Sequence, residues 1–428
     1  VSHHHKLSLT TAILLNLNVM FGTGIFINTI YLAQHAGFLG FLSYLLVAVL
    51  ISPLIISMSM LLRFFPDGGF YSYASSTLGS FAGFISAWAY FTGKLASAAL
   101  LTHVFSTLVQ SMVPSLRILS PLTLDVAILL LFGWLVLYHL RTGKWMIYGF
   151  IMCKLLPILF AILSCLVLSH HWTIDPTTFD WSGIATTMPL VLFAFTGFEI
   201  CCSLSSSIQH AAVNGPRAIA ISFGFVVCTT VLYQLLFFLT VGSELQQQST
   251  YLGIFPPLLY LLLPLTWHKT VLALLYAALA TASLGGSYGI LFSNHWNLYT
   301  LAHHNHVWGA RWLTQLNSYH IPWRGVLMQI PLCIVYLLIT RGYIPHIQQI
   351  SVLGCIIAYG TSVLGLLVYL HKNFATRHVA VAYGALLSCS FFIALLIRNL
   401  VLNGIFSLLI FGALLCIGIT MFATPKSN

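Results

Sequence analysis

Residues 22–24 read Gly-Thr-Gly, in the middle of an apolar run from about Ile13 to Ala33. Farther along, Thr196 and Gly197 interrupt a second apolar run, LFAFTGFEICC, and Glu199 follows at once. Glycine costs a helix interior about 1 kcal/mol against alanine, so both places favour an opened backbone. In hydrocarbon an opened backbone strands polar groups unless protein or a wet cavity receives them. Such a break offers recognition with few charges. N–H groups freed at one half-helix suit an anionic group such as a carboxylate, and the carbonyls freed at the other suit an ammonium or a cation. A zwitterionic amino acid carries both. Interrupted helices at corresponding places in two halves of a membrane chain point to the midplane site of a secondary transporter. For either break alone the structural alternative is a kink at a helix crossing; two breaks in register, with an acid beside one, argue against it.

Three ionisable side chains lie inside apolar runs: Lys94, Lys154 and Glu199. A charge at the centre of a membrane helix costs at least ~2.5 kcal/mol, which makes each a functional candidate. Glu199 either carries a proton, responds to substrate, or caps N–H groups exposed by the break. Lys94 follows Gly93 in AYFTGKLASAAL and either faces the site or snorkels to an interface. His103 reads as a helix–helix contact, and His303, His304 and His306 as a solvated loop rather than a metal site. With Glu199 as the single acid read within a span, and without HExxH or paired in-span aspartates, an intramembrane enzyme is not expected. A channel would call for a repeated pore helix or a ring of like charges. The nine cysteines show no CxxC pattern and no paired loop spacing, so neither a disulfide framework nor a zinc site is expected.

The elements that must carry these residues are membrane helices. Of 428 residues 59% are hydrophobic and 5% charged, against about 25% charged in a soluble domain, and the mean hydropathy is +0.97. We read about twelve spans: 10–34, 39–64, 81–112, 123–140, 145–169, 184–209, 216–242, 267–297, 323–341, 350–371, 379–398 and 402–422. The segment 251–264, too short and Pro-broken to span, reads as a short helix on the outer face. One set of loops carries Lys6, Arg63, Arg141, Lys144, Arg217, Arg311, Arg324, Lys372, Arg377 and Lys426; the other carries Arg117, Lys269, Arg341 and Arg398. That bias places both termini in the cytoplasm, and Asp125, Asp175, Asp180 and Glu244 lie toward the opposite side. The net charge of +10 is dispersed over short loops, which argues against nucleic acid. No cleavable leader is expected, because VSHHHKLSLT leads into a segment too long and too Gly-interrupted. His3 to His5 are given no role.

These segments resemble the amino acid–polyamine–organocation superfamily of transporters. GTGIF at 22–26 is similar to that family's first-helix glycine motif, and FAFTGFE at 193–199 to its sixth-helix motif. MCKLLPILFAI (152–162) resembles its fifth helix. TASLGGSYGILFSNHW (281–296) and NSYHIPWRGVLMQI (317–330) resemble its eighth helix and the cytoplasmic segment leading into its ninth. The resemblance covers nearly the whole chain. It implies an all-α, LeuT-like fold of two inverted repeats of five helices, 10–169 and 184–371, with two helices appended at 379–422. It implies that Gly22, Thr23, Gly24 and Ile25 receive a substrate carboxylate. The opened backbone from Phe193 through Thr196 to Gly197 would receive the amino group, and Phe193 or Phe198 would close over the substrate. Lys154 matches a lysine that relatives place near the first break, where its ammonium fills the space of a sodium ion, as a static tie or a protonatable switch. Lys94 falls where relatives place a polar, substrate-facing residue. The stretch SLSSSIQHAAVNGPRAI (203–219) and the loop 296–312 lack the acids usual in the family, so the cytoplasmic gate contacts differ.

The expected function is secondary active transport of amino acids, proton-coupled and sodium-independent, with amino acid or amine exchange as the alternative mode and a non-transporting receptor as the other. Lys94 would add a positive charge near the pocket. Two unit charges about 5 Å apart at an effective dielectric of about 20 interact by about 3 kcal/mol, so neutral or acidic amino acids should be preferred to cationic ones. The partners expected are a small-molecule amino acid, protons and the lipid bilayer of a plasma or bacterial inner membrane. No cofactor, metal or nucleic acid is called for, and the oligomeric state is left open.

Overall fold

The apolar runs form helices. A computed structural model describes residues 6–66, 68–137, 140–173, 180–248, 250–374 and 376–424, without the side chains of 140–147 and 376. His3 to His5, Asp175 and Lys426, and the side chains of Arg141 and Lys144, therefore lie outside the described residues. The first span is broken: α1 (Leu9–Met20) and α2 (Gly24–Ala36) meet at a bend of 43°. Then come α3 (Gly40–Phe64), the short α4 (Phe70–Leu78), α5 (Ser80–Met112), α6 (Pro121–Val136) and α7 (Leu140–Val167). The second break separates α8 (Trp181–Phe195) from the single turn α9 (Ile200–Ser203). The remainder is α10 (Ala211–Gln246), the short α11 (Phe255–Leu262), α12 (Leu265–His303), the turn α13 (Ala310–Leu313), α14 (Trp323–Thr340), α15 (Ile344–Lys372), α16 (Val379–Asn403) and α17 (Ile405–Ala423).

Among the described residues nine helices are long and apolar enough to cross a membrane, and the bent pair α1–α2 makes a tenth. The twelve spans expected are reached only by adding α6 and α8, of 16 and 15 residues, both short of the ~20 that span hydrocarbon. The break itself cuts α8 short. Several helices start earlier than the hydropathy suggested, because local chemistry starts them. Ser120 accepts a hydrogen bond from the Thr123 N–H and Pro121 opens α6; Pro345 opens α15. Asp180 caps α8, and the Ser182 hydroxyl together with the Gly183 and Ser182 N–H groups holds its carboxyl below the usual carboxylate range.

The centre of the bundle is α5, which packs on α12 and α15 and is buried almost throughout from Gly83 to Thr102. It comes closest to α15 at Gly93: a Cβ there would lie 2.8 Å from the Cα of Gly354. Small residues that let backbones touch, and hydroxyls that bridge helices, hold membrane bundles where hydrophobicity cannot. Ser86 follows the second rule, donating to the Ala358 carbonyl and pairing with Ser362, each at 3.0 Å, and Ser97 bonds Ser351. At one end of the bundle Leu7, just before α1, bridges Ile208, just after the second break. The Leu7 N–H donates to Ser207 and its carbonyl accepts from Gln209.

One expectation changes. Asp125, within the span read at 123–140, is fully buried inside α6, with Oδ2 2.8 Å from His103 Nδ1 on α5. Glu199 is thus not the single buried acid of the bundle. The Ser120 cap and Pro121 carry the start of α6 back to Pro121. His103 is the helix–helix contact expected of it.

Candidate functional site

The two breaks face each other. In the first, the Phe21 N–H closes α1 on the Leu17 carbonyl, and Thr23 opens α2 by accepting from Phe26 and Ile27. The last carbonyls of α1 and the first N–H groups of α2 are those that a helix end leaves without intrahelical partners. In the second, Thr196 turns extended and folds its N–H and hydroxyl back onto the Phe193 carbonyl at 3.1 and 2.9 Å. Gly197 adopts φ +123°, a region open to glycine, and α9 starts after Glu199. A Cβ on Gly24 would lie 3.2 Å from the Phe193 ring, and one on Gly197 would lie 2.9 Å from the Met20 nitrogen. Each glycine therefore admits the other broken helix to van der Waals contact.

Between the breaks lies a cavity of about 10 Å³, room for about one water. Of the residues singled out from the sequence, Gly22, Gly24, Lys94, Phe193 and Thr196 line it. Thr23, Ile25, Gly197 and Phe198 are buried but do not line it. Phe193 is the aromatic positioned to close over the cavity; Phe198 turns away and packs edge-on against Phe223 and tilted against Tyr359. The rest of the lining is apolar, from Val19, Met20, Leu101, Ala194 and Ile290, with the hydroxyl of Ser97. A wider cavity of about 210 Å³, lined by Gly68 to Tyr71, Ser203 to Ser207, Trp296, Asn297, Tyr299 and Thr300 among others, lies on the α4–α9 side. Another, of about 630 Å³, lies on the α14–α15 side with Tyr31, His35, Thr187 and Gln349 in its wall.

Of the ionisable groups, Lys94 is partnered differently from the expectation. Lys94, on α5, brings its Nζ to 2.7 Å from Glu199 Oε1, both side chains being 1% or less exposed. The Tyr90 hydroxyl donates to the same oxygen at 3.1 Å, and the Gly197 N–H donates to Oε2 at 2.7 Å. Glu199 thus caps the break and holds a cation together. The unpaired positive charge expected at Lys94 is not found; the carboxylate neutralises it, and with it goes the reason for preferring acidic substrates. Lys154, on α7, lies beside the first break and donates to the carbonyl of Asn18 in the last turn of α1. Gly285 of α12 makes room for it: a Cβ there would meet the lysine Cε at 3.0 Å, and its own carbonyl accepts from Asn18 Nδ2 at 2.8 Å.

Four contributors escaped the sequence reading. Asn16 and Asn18 are buried amides on α1; Asn16 Oδ1 accepts from the Cys201 N–H at 3.3 Å, binding the breaks together. Their signal was available as two amides within an apolar run. Tyr90 lies one helical turn before Lys94 and so shares its face. Ser97 carried no signal of its own. The histidines near 304 are not a free loop: His304 stacks on Tyr71 at 4.2 Å, and His306 Nε2 lies 2.8 Å from the Tyr71 hydroxyl. No group of three or more metal-binding side chains occurs among the described residues.

Comparison with known proteins gives the family. A family profile described as amino acid permease matches residues 7–425. The chain is similar to the branched-chain amino acid permease BcaP of Bacillus subtilis (strain 168), 25% identical over 241 residues, which is 51% of each protein. It is also similar to human cationic amino acid transporter 4, 29% identical over 119 residues, which is 26% of this chain and 19% of that one. The matched parts thus span about half, or a fifth, of these relatives' length.

Proposed function

The chain belongs to the amino acid permease family, and from that premise we propose that it is a secondary transporter of neutral amino acids whose substrate sits between the two breaks. The observation that carries the reading is the mutual contact of the breaks, Gly24 on Phe193 and Gly197 on Met20, around a cavity. First-turn N–H groups of α2 at Gly24 and Ile25 suit the carboxylate. Carbonyls at the end of α8, and the Thr196 hydroxyl, suit the ammonium. The apolar wall suits an uncharged side chain, because a charge placed there without a partner loses its hydration. With room for about one water, substrate enters only when Phe193 or its neighbours move. The cavities on the α4–α9 and α14–α15 sides are the two approaches in this scheme, and alternating access opens one at a time.

We read the chain as two inverted repeats, 10–169 and 184–371, with helices 379–422 appended and both termini cytoplasmic. The corresponding breaks and the charge bias of the loops support that reading. Transport is proton-coupled and independent of sodium. Supporting this, the Lys154 ammonium occupies the carbonyl at the end of α1 that a bound cation would use. The test is uptake of labelled leucine and alanine into proteoliposomes, with Gly24→Leu beside the wild type. A leucine side chain at 24 overlaps the Phe193 ring, so the variant should remain folded in the membrane and lose substrate affinity. Unchanged affinity would place the site elsewhere. Uptake that appears only against internal amino acid would make exchange the mode.

A further inference from the structure

We infer that Lys94 is a tethered cation that occupies Glu199 and so bars amino acids with cationic side chains from the site. The inference rests on the transporter reading above and concerns its specificity. Lys94 lines the central cavity and Glu199 does not, and the lysine ammonium is paired with that carboxylate. Its ammonium sits 2.7 Å from Oε1, and Tyr90 and the Gly197 N–H fill further positions around the carboxylate. The carboxylate is therefore satisfied from within the protein. A cationic side chain arriving in the cavity finds an apolar wall, a lysine ammonium in front of it and no free anion. A neutral side chain loses nothing on entering. The lysine is held in place by its backbone: α5 touches α15 at Gly93, the residue before it, and Ser97, one turn on, bonds Ser351. Lys94 is thus a specificity-determining residue that acts by filling an anionic site, and the charge of the pair as a whole is zero.

Removing the lysine from Cγ to Nζ should open the cavity to Glu199 and leave a carboxylate in want of a cation. The purified Lys94→Ala protein should be stabilised by n-propylammonium, the missing piece of the side chain. Wild type and the double variant Lys94→Ala/Glu199→Gln should not respond. In the same protein the affinity for lysine or ornithine, measured by competition against a labelled neutral amino acid, should rise about tenfold or more, as expected of a new charge-assisted bond. In the wild type norleucine, which has the carbon chain of lysine without its ammonium, should compete far better than lysine. A second variant reads the pair from the other side and does not depend on Lys94→Ala folding: Glu199→Gln frees the ammonium to face the cavity and should admit glutamate as a competitor. Lysine competing as well as norleucine in the wild type would overturn the inference. So would a folded Lys94→Ala protein indifferent to both propylammonium and cationic amino acids. A wild type that takes up no amino acid would sink the transporter reading instead, and the propylammonium response would still report on the pair.

Discussion

Lys154 and Glu199 show what single side chains do at a helix break. Each serves backbone groups that the break exposes, Lys154 a carbonyl at the end of α1 and Glu199 the Gly197 N–H. An unsatisfied buried backbone group costs about 1–3 kcal/mol, so both would be worth keeping in a protein that only needed to fold. The difference lies in the cycle. If the first break opens and closes during transport, the bond from Lys154 must be remade on each turn. Lys154→Ala should therefore lower transport by about tenfold or more while binding falls less, a ratio of roughly 1.4 kcal/mol between states. Uptake rates set against equilibrium binding in the same membranes check this. Equal losses of binding and transport would make Lys154 a static tie. Both lysines and Glu199 could be singled out in the sequence because intramembrane charge is rare. Which of them pair could not.

At the scale of elements, the second break depends on one backbone conformation. Gly197 sits at φ +123°, and a Cβ there would lie 2.9 Å from the Met20 nitrogen. Gly197→Ala should destabilise the protein by about 1–3 kcal/mol through strain alone, and it should also push α1 from α8. Thermal unfolding in detergent measures the first effect and substrate affinity the second. A stable Gly197→Ala protein with normal affinity would show that the conformation is not needed. Glycine, threonine and an acid in an apolar run made the break itself legible, because helix propensity is a local property. The length of α8, the start of α6 at Pro121 and the turning of Phe198 onto Tyr359 were less legible. They depend on caps, on proline at a first turn, and on how far the chain rotates through the break.

For the whole molecule the testable quantity is coupling. With Lys154 on the Asn18 carbonyl, replacing sodium by choline in the external medium should leave uptake into proteoliposomes unchanged. An inwardly directed proton gradient should drive accumulation above the external concentration. Steep dependence on sodium would mean that the ammonium leaves its place. Absence of proton-driven accumulation, with rapid trans-stimulation, would mark the protein as an exchanger. The scaffold fits either mode: α5 is clamped to α12 and α15, while the broken spans are joined to each other by Leu7 with Ile208 at one end and by Asn16 with Cys201 near the centre. That division gives a frame and a moving pair, and inhibition by a cross-link between the pair and α5 would test it.

Composition and residue order alone establish an all-helical membrane protein, where its two breaks fall, and that Lys94, Lys154 and Glu199 lie within apolar runs. Each follows from a local cost: apolar length against bilayer thickness, glycine against helix propensity, charge against hydrocarbon. It takes the packed helices to show that Glu199 belongs to Lys94 and Lys154 to Asn18, that Phe193 rather than Phe198 faces the cavity, and that Asp125 is buried on His103. A span fixes which residues are in the membrane but not its rotation about its own axis, and partners far apart in the chain are chosen by that rotation. Here the close approach of Gly93 to Gly354 sets it for α5, and so aims Lys94 across the cavity at the carboxylate.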